Sequence, residues 1–151
     1  MWAANAQKLS GARTVSYDQR MSDIDPRRLA PRIPLDGLCG VVTGRDLRHA
    51  SMLDLSAIGL RIERPFDPAN AARMVQLEIE LPDVDELVWV RGEVTFAHLS
   101  PMGGRHPSGQ PRFLCTAGIR IDRIGWNDRR LLRDYVVETR RARRSQVLLA
   151  S

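Results

Sequence analysis

The sequence is poor in cysteine and aromatic residues, and it contains no long apolar run. Its two cysteines, Cys39 and Cys115, both lie in apolar stretches, which favours two buried, reduced thiols over a disulfide or a metal site. No segment approaches the roughly 18 apolar residues of a membrane span. Residues 1–20 lack the apolar block of a secretory signal. We therefore expect a cytoplasmic protein.

Lysine is almost absent from the chain. Lys8 is the only lysine among 23 basic residues, so arginine supplies nearly all of the positive charge, and the formal net charge is +5 at pH 7. The guanidinium group offers planar, bidentate donors that suit phosphate and guanine, whereas the lysine ammonium does not. The composition therefore favours anionic partners without identifying one.

Patterns that carry catalytic chemistry are also scarce. The three histidines, His49, His98 and His106, show no metal-ligand spacing, and the sequence has no glycine-rich phosphate loop. We expect no metal, no cofactor and no catalytic residue, and therefore no enzyme activity. Aromatic residues make up 5% of the chain, which leaves few stacking platforms for single-stranded nucleic acid.

The chain divides into three parts by composition. Residues 1–24 form a polar arm that we expect to be flexible, residues 25–145 form one domain, and residues 146–151 form a short tail. Inside the domain, strand patterns bounded by turn residues recur six times. They cover residues 38–42, 49–55, 59–63, 74–81, 87–99 and 112–122. This hairpin-like succession predicts a mostly β fold, an antiparallel barrel or sandwich, with a long mobile loop over 100–112.

The hydrophobic period changes after the sixth strand. Apolar residues between Leu131 and Val136 recur at helical spacing, and Asn127 precedes them as a candidate N-cap. The pattern predicts a C-terminal helix over about 128–145, with an apolar stripe that packs on the strands.

The stretch DLSAIG, residues 54–59, interrupts the strand pattern, because Asp and Gly are depleted in buried strands. Chance gives only about 0.05 copies of the pattern Asp54-x-Ser56-x-x-Gly59 in a chain of this composition. Two interpretations stay open. The motif is a local turn, in which a side chain caps its own backbone and Gly59 takes a positive φ, or it is a polar site on an exposed strand face, which Asp54 and Ser56 share because they are two residues apart.

Arginines stand just before the first predicted strand, in the stretch RRLAPRIPL, where Arg28 and Arg32 are four residues apart. This spacing alone carries little weight, since random order gives about three such pairs in a chain so rich in arginine. The chain has three, and the other two are Arg129/Arg133 and Arg140/Arg144. The arginine pair gains weight only through its combination with the polar motif.

Taken together, RRLAPRIPL and MLDLSAIGLRI resemble the PilZ domain, the bacterial receptor module for cyclic di-GMP, and the resemblance covers about residues 25–140. It implies a six-stranded antiparallel β-barrel of the split-barrel type with a C-terminal α-helix. It also implies cyclic di-GMP as the ligand, often bound as an intercalated dimer, with Arg27 placed to contact the second molecule. The ligand-binding residues that the resemblance implies are Arg28, Arg32, Asp54, Ser56 and Gly59.

The chemistry of these residue types fits that ligand. Arginine binds guanine O6 and N7, or a phosphate, with two parallel hydrogen bonds. Asp54 could accept from the adjacent N1–H and N2–H₂ donors of guanine, with Ser56 beside it and Gly59 leaving room for close approach. The resemblance further implies that the segment before the first strand wraps over the ligand and passes the change to a partner protein, in motility or exopolysaccharide control by family analogy.

Two other functions stay open at this point. The first is a PilZ-like adaptor that acts through proteins without a ligand, which the intact motifs disfavour. The second is a basic β-barrel that binds nucleic acid through the arginine-rich segment 140–144, although basic residues at the end of a helix also complement its dipole. The sequence leaves a homodimer open and does not identify the protein partner.

Overall fold

The computed structural model describes residues 30–150, so the predicted arm over 1–24 and the first residues of the predicted domain lie outside it. The strands are β1 (Arg32–Thr43), β2 (Asp46–Ser56), β3 (Gly59–Pro65), β4 (Met74–Glu80), β5 (Leu87–Arg105) and β6 (Pro111–Ile124). A short 3-10 turn spans Pro68–Asn70, and the long helix α1 spans Trp126–Leu149. Within this described part, no helix is both long and apolar enough to cross a membrane.

The six strands close into a barrel with the order β1-β2-β3-β6-β5-β4. Each strand is antiparallel to both neighbours, and β1–β3 and β4–β6 form two meanders of three strands. Pairing of β3 with β6 and of β1 with β4 joins the two meanders into the ring. The predicted six-stranded antiparallel barrel with a C-terminal helix is therefore confirmed.

Inward-facing apolar side chains fill the barrel. In β4, Val75, Leu77 and Ile79 are buried and alternate with more exposed residues, as the period of two predicts. Leu132 and Val136 of α1 join the same core. The helix therefore packs on the barrel through its apolar stripe, and it contacts β1, β2 and β5.

Several predicted boundaries were wrong. Strand β1 begins at Arg32, six residues earlier than predicted, because pairing with β2 overrides the poor strand propensity of Pro34 and Gly37. Strands β5 and β6 extend through most of the predicted 100–112 loop, so their connection is only residues 106–110. Sequence reasoning expected a loop there because Pro and Gly dominate the stretch, whereas register shifts let the strand ends pair despite them.

The ends of α1 also differ from expectation. Gly125 is the N-cap and Asn127 lies within the first turn, where its side chain makes no capping bond. The helix continues to Leu149, so residues 146–149 belong to it and not to a tail. The segment after Ser145 contains no helix-breaking residue, which is why the helix has no reason to stop earlier.

Both cysteines are free and buried in the barrel, as their apolar context predicts. Burial raises the pKa of Cys39 to about 12 and also raises the pKa of Cys115, although the nearby Arg64 opposes both shifts. The thiolate is therefore disfavoured at both positions, which makes these side chains core residues without nucleophilic character.

Candidate ligand-binding site

Two β-bulges set the direction of the Asp54 side chain. The pairing of β2 with β3 shifts register between Met52 and Asp54, and its pairing with β1 shifts just after Pro34. Met52 and Leu55 both lie in the core although they are three residues apart. The alternation of the two strand faces is therefore offset by one residue at the bulge. As a result, Asp54 and Ser56 lie on the face opposite the core.

Asp54 is the centre of a cluster with two arginines. Its Oδ1 accepts a hydrogen bond from Nη1 of Arg32 at 3.1 Å, and its Oδ2 accepts one from Nε of Arg61 at 2.6 Å. The Asp54 side chain is only 9% exposed, and those of Arg32 and Arg61 are 22% and 20% exposed. A carboxylate this buried needs such partners, because without them it would lose its hydration and gain nothing in return.

Strand register brings these three side chains together. Arg61 lies directly opposite Asp54 on β3, while Arg32 on β1 lies opposite Ser56. Directly opposed residues of antiparallel strands point to the same face and are close neighbours. The cluster is therefore built by three adjacent strands and not by a loop.

Ser56 closes the hairpin between β2 and β3. Its Oγ accepts hydrogen bonds from the backbone N–H groups of Ile58 at 3.3 Å and Gly59 at 3.1 Å, and its hydroxyl donates to the carbonyl of Gly59 at 3.1 Å. Ser56 has no exposed surface. The turn interpretation therefore holds for this residue, whose hydroxyl satisfies the local backbone.

Gly59 is required by the packing of two strands. Its φ is not positive, so the left-handed backbone of the turn interpretation is not found there. A Cβ on Gly59 would lie 2.5 Å from the carbonyl oxygen of Ile119 on β6, too close for any other residue without a shift of the backbone. The missing Cβ of Gly59 therefore allows β6 to pack closely against β3.

The structure brings together four of the predicted site residues, namely Arg32, Asp54, Ser56 and Gly59. Arg27 and Arg28 lie outside the described residues. The expected exposed strand face was wrong in one respect. The face does point away from the core, but Asp54 lies beneath two guanidinium groups and Ser56 lies within its own turn. A role of these residues in ligand binding stays a prediction.

Sequence reasoning missed Arg61, although the sequence holds the signal for it. A two-residue hairpin turn at 57–58 opposes Ser56 with Gly59, and counting outward then opposes Asp54 with Arg61. The observed register is this one. An arginine opposite an aspartate on one sheet face predicts an ion pair.

A second contact, for which no sequence pattern is a signal, comes from α1. Nη2 of Arg143 donates a hydrogen bond to the backbone carbonyl of Pro34 at 2.6 Å, across 109 positions of the chain. Pro34 lies opposite Asp54 in the β1–β2 pairing, at the edge of the bulge. This hydrogen bond connects the last third of the helix to β1, the strand that carries Arg32.

The cluster has the chemistry to bind a ligand that is both anionic and rich in hydrogen-bond donors. The two guanidinium groups are partly exposed, and at least one of the five N–H donors of each is directed to Asp54. A carboxylate has about four lone-pair sites, so Asp54 retains acceptor capacity beyond its two arginine bonds. Phosphate oxygens would meet a guanidinium group of the cluster, and an adjacent pair of N–H donors would meet the carboxylate.

Comparison with known proteins bears on the whole domain. The family model of the PilZ domain matches residues 26–138. No curated protein sequence gives a significant match.

Two solved structures share the fold at low sequence identity. The Bacillus subtilis inhibitor of motility, MotI/DgrA, aligns with a TM-score of 0.57 and 15% identity over 80% of this chain and 54% of that one, so the chain spans about half the length of this relative. The PilZ domain of YcgR from Escherichia coli, solved with c-di-GMP, aligns with a TM-score of 0.54 and 13% identity over 80% of this chain and 97% of that one. Since the family model matches well over half of the sequence, the chain belongs to the PilZ domain family.

Proposed function

We propose that the protein is a receptor for cyclic di-GMP that changes conformation on binding and signals to a partner protein. The observation that carries the proposal is the Asp54 cluster, with Arg32 and Arg61 on either side of a buried carboxylate, inside the segment that matches the PilZ family. Membership of the family supports a ligand-binding receptor, and the proposal includes no catalysis. The ligand is cyclic di-GMP itself, without a metal or a further cofactor.

Arg28 and Arg32 are the arginines proposed to bind the ligand. Arg32 stands at the first position of β1, and the chain leads from there directly to Arg28. Each guanidinium would bind a phosphate or the O6/N7 edge of a guanine in bidentate fashion. Asp54 would accept from guanine N1–H and N2–H₂. Ser56 and Gly59 would shape the wall of the site, since the hydroxyl of Ser56 is already used within the hairpin and Gly59 is in close contact with β6.

The conformational change would begin at the arginine-bearing segment before β1. Ordering of this segment over the ligand costs conformational entropy, which charge-assisted hydrogen bonds to phosphate offset. The bond from Arg143 to Pro34 supports a route for the signal, because it joins the start of β1 to the helix. The partner protein is unidentified, and motility or exopolysaccharide control is proposed by family analogy alone.

Calorimetric titration with cyclic di-GMP tests the receptor and its stoichiometry together. We expect saturable binding with a ratio of two, for an intercalated dimer, and a ratio falling toward one in Arg27→Ala. If the wild-type protein shows no heat of binding in calorimetry and no binding by equilibrium dialysis, the receptor function is refuted and the adaptor is favoured. A wild-type ratio of one, or an unchanged ratio in the variant, would refute the role of Arg27.

Matched arginine variants separate a specific site from diffuse basic charge. Truncating one member of a desolvated charge pair costs about 2–5 kcal/mol, so Arg28→Ala and Arg32→Ala should each weaken binding by at least roughly thirtyfold. Arg129→Ala and Arg140→Ala remove the same charge from α1 and should bind nearly as the wild type. Equal, salt-sensitive losses in all four variants would indicate a basic surface for nucleic acid instead.

A further inference from the structure

We infer that Arg61 is a positioning residue of the ligand site, which keeps the buried Asp54 carboxylate paired while Arg32 turns to the ligand. The inference rests on the proposed function, and it assigns to a residue outside the predicted arginine pair a part in ligand affinity. Arg61 acts here through Asp54 and not by touching cyclic di-GMP.

The two arginines hold Asp54 in different ways. Arg61 donates from Nε to Oδ2 at 2.6 Å, whereas Arg32 donates from Nη1 to Oδ1 at 3.1 Å, so each carboxylate oxygen has its own arginine. The Nε–H lies nearer the backbone than the terminal amino groups, so Arg61 bonds Asp54 from a more constrained part of its side chain than Arg32 does. The shorter bond is made by the more constrained donor.

The backbone of Arg61 is also more constrained by strand pairing than the backbone of Arg32. Arg61 lies inside β3 and is paired on both sides, with Asp54 of β2 and Gly118 of β6. Among the described residues, Arg32, the first residue of β1, has a strand partner on one side, Ser56 of β2, since β1 pairs with β4 over residues 39–42. Strand ends open at lower free energy than strand interiors that are paired on two sides. Arg61 is therefore the fixed partner of Asp54, and Arg32 is the movable one.

Burial makes a second partner necessary. With its side chain 9% exposed, Asp54 cannot recover its hydration if its ion pair is broken. If Arg32 were its single partner, every turn of Arg32 toward a phosphate would leave an unpaired buried carboxylate, and that penalty would be subtracted from ligand affinity. Arg61 removes the penalty, because Oδ2 stays bonded in both states.

Calorimetry on Arg61→Ala, Arg61→Lys and a matched control tests the inference. We expect Arg61→Ala to weaken cyclic di-GMP binding at least tenfold, and Arg61→Lys, which keeps a charged donor, to recover most of the loss. Arg91→Ala is the control, because Arg91 is also a strand arginine that bonds a carboxylate, Asp122, through Nε and Nη2. It should bind as the wild type.

Arginine side-chain NMR provides a measurement that a purely structural role of Arg61 would not change. In wild-type protein, the Nε–H signal of Arg61 should stay protected from exchange with and without cyclic di-GMP, while the Arg32 signal should shift on binding. In an Asp54→Asn background, Arg61→Ala should add little further loss of affinity, since the pair no longer exists.

Each outcome decides one question. Wild-type protein that does not bind cyclic di-GMP refutes the proposed function and this inference with it. Wild-type binding together with unchanged affinity in Arg61→Ala refutes the inference alone. Full additivity with Asp54→Asn, or loss of the Arg61 Nε–H protection on binding, shows that Arg61 contacts the ligand itself. If Arg61→Ala does not fold, the NMR comparison in wild-type protein still decides whether Arg32 or Arg61 is the arginine that moves.

Discussion

Replacement of Asp54 by alanine should lower the stability of the free protein as well as ligand affinity. The carboxylate accepts two charge-assisted hydrogen bonds, at 3.1 and 2.6 Å, and such bonds contribute about 1.5–3 kcal/mol each. The two arginines are about a fifth exposed and can regain water after the substitution, which reduces the loss. We expect the free energy of unfolding to fall by about 2–3 kcal/mol. The exposed strand face expected from the sequence predicts no such change.

Urea unfolding followed by circular dichroism measures this loss, and Glu93→Ala is its control. Glu93 also accepts hydrogen bonds from two arginines, Arg73 and Arg120, but those side chains are 78% and 58% exposed. Surface pairs of this kind contribute little, and salt screens them. Asp54→Ala should therefore lose clearly more stability than Glu93→Ala, and the difference should persist at high salt. Equal losses in the two variants would refute the argument from burial.

Three further predictions concern residues around the cluster and in the core. Ser56→Ala should cost about 1–2 kcal/mol of unfolding free energy, because the backbone groups that the hydroxyl bonds would stay unsatisfied in the hairpin; a thermal midpoint equal to that of the wild type would contradict this. Burial raises the pKa of Cys39 from 9.0 to about 12, so the contribution of this thiol to stability should be fully present below pH 9 and be lost as the pH rises from 9 toward 12, where only the unfolded chain forms the thiolate; native protein at pH 8 should react slowly with a thiol reagent, and fast reaction would argue against burial. Arg143→Ala should speed amide exchange in the last turns of α1 relative to Arg144→Ala, which removes the same charge, because the bond to the carbonyl of Pro34 is lost; equal exchange in the two variants would show that this bond does not hold the helix.

The architecture of the barrel was predictable from the sequence because its main signals are local. The alternation in β4 and the helical spacing around Leu132 specify the element type without any tertiary information. The start of β1 was not predictable in this way. Pro34 and Gly37 disfavour a strand, and only their pairing with β2, through a bulge, places them in one.

The residues of the site were predictable to a similar extent, but their surroundings were not. The pattern DLSAIG identified Asp54 and Ser56 as unusual, and strand alternation placed them on one face. Their burial depends on Arg61, which follows from the hairpin register, and on Arg32, which joins from a different strand. The contact of Arg143 with Pro34 bridges 109 positions and leaves no local signal at all.

The turn and the binding site, which the sequence presents as alternatives, are parts of one arrangement. Ser56 satisfies the hairpin backbone, Gly59 admits β6, and Asp54 ties β1 to β3 through its two arginines. Folding alone therefore accounts for the presence of all three residues, and an adaptor without a ligand would need them as well. The arginines are different, because Arg32 stands at a strand end with a partly exposed side chain, and Asp54 would keep its bond to Arg61 if Arg32 turned to a ligand. Receptor and adaptor should consequently differ at Arg32 and Arg28 and not at the polar motif, which is why the arginine variants decide between them.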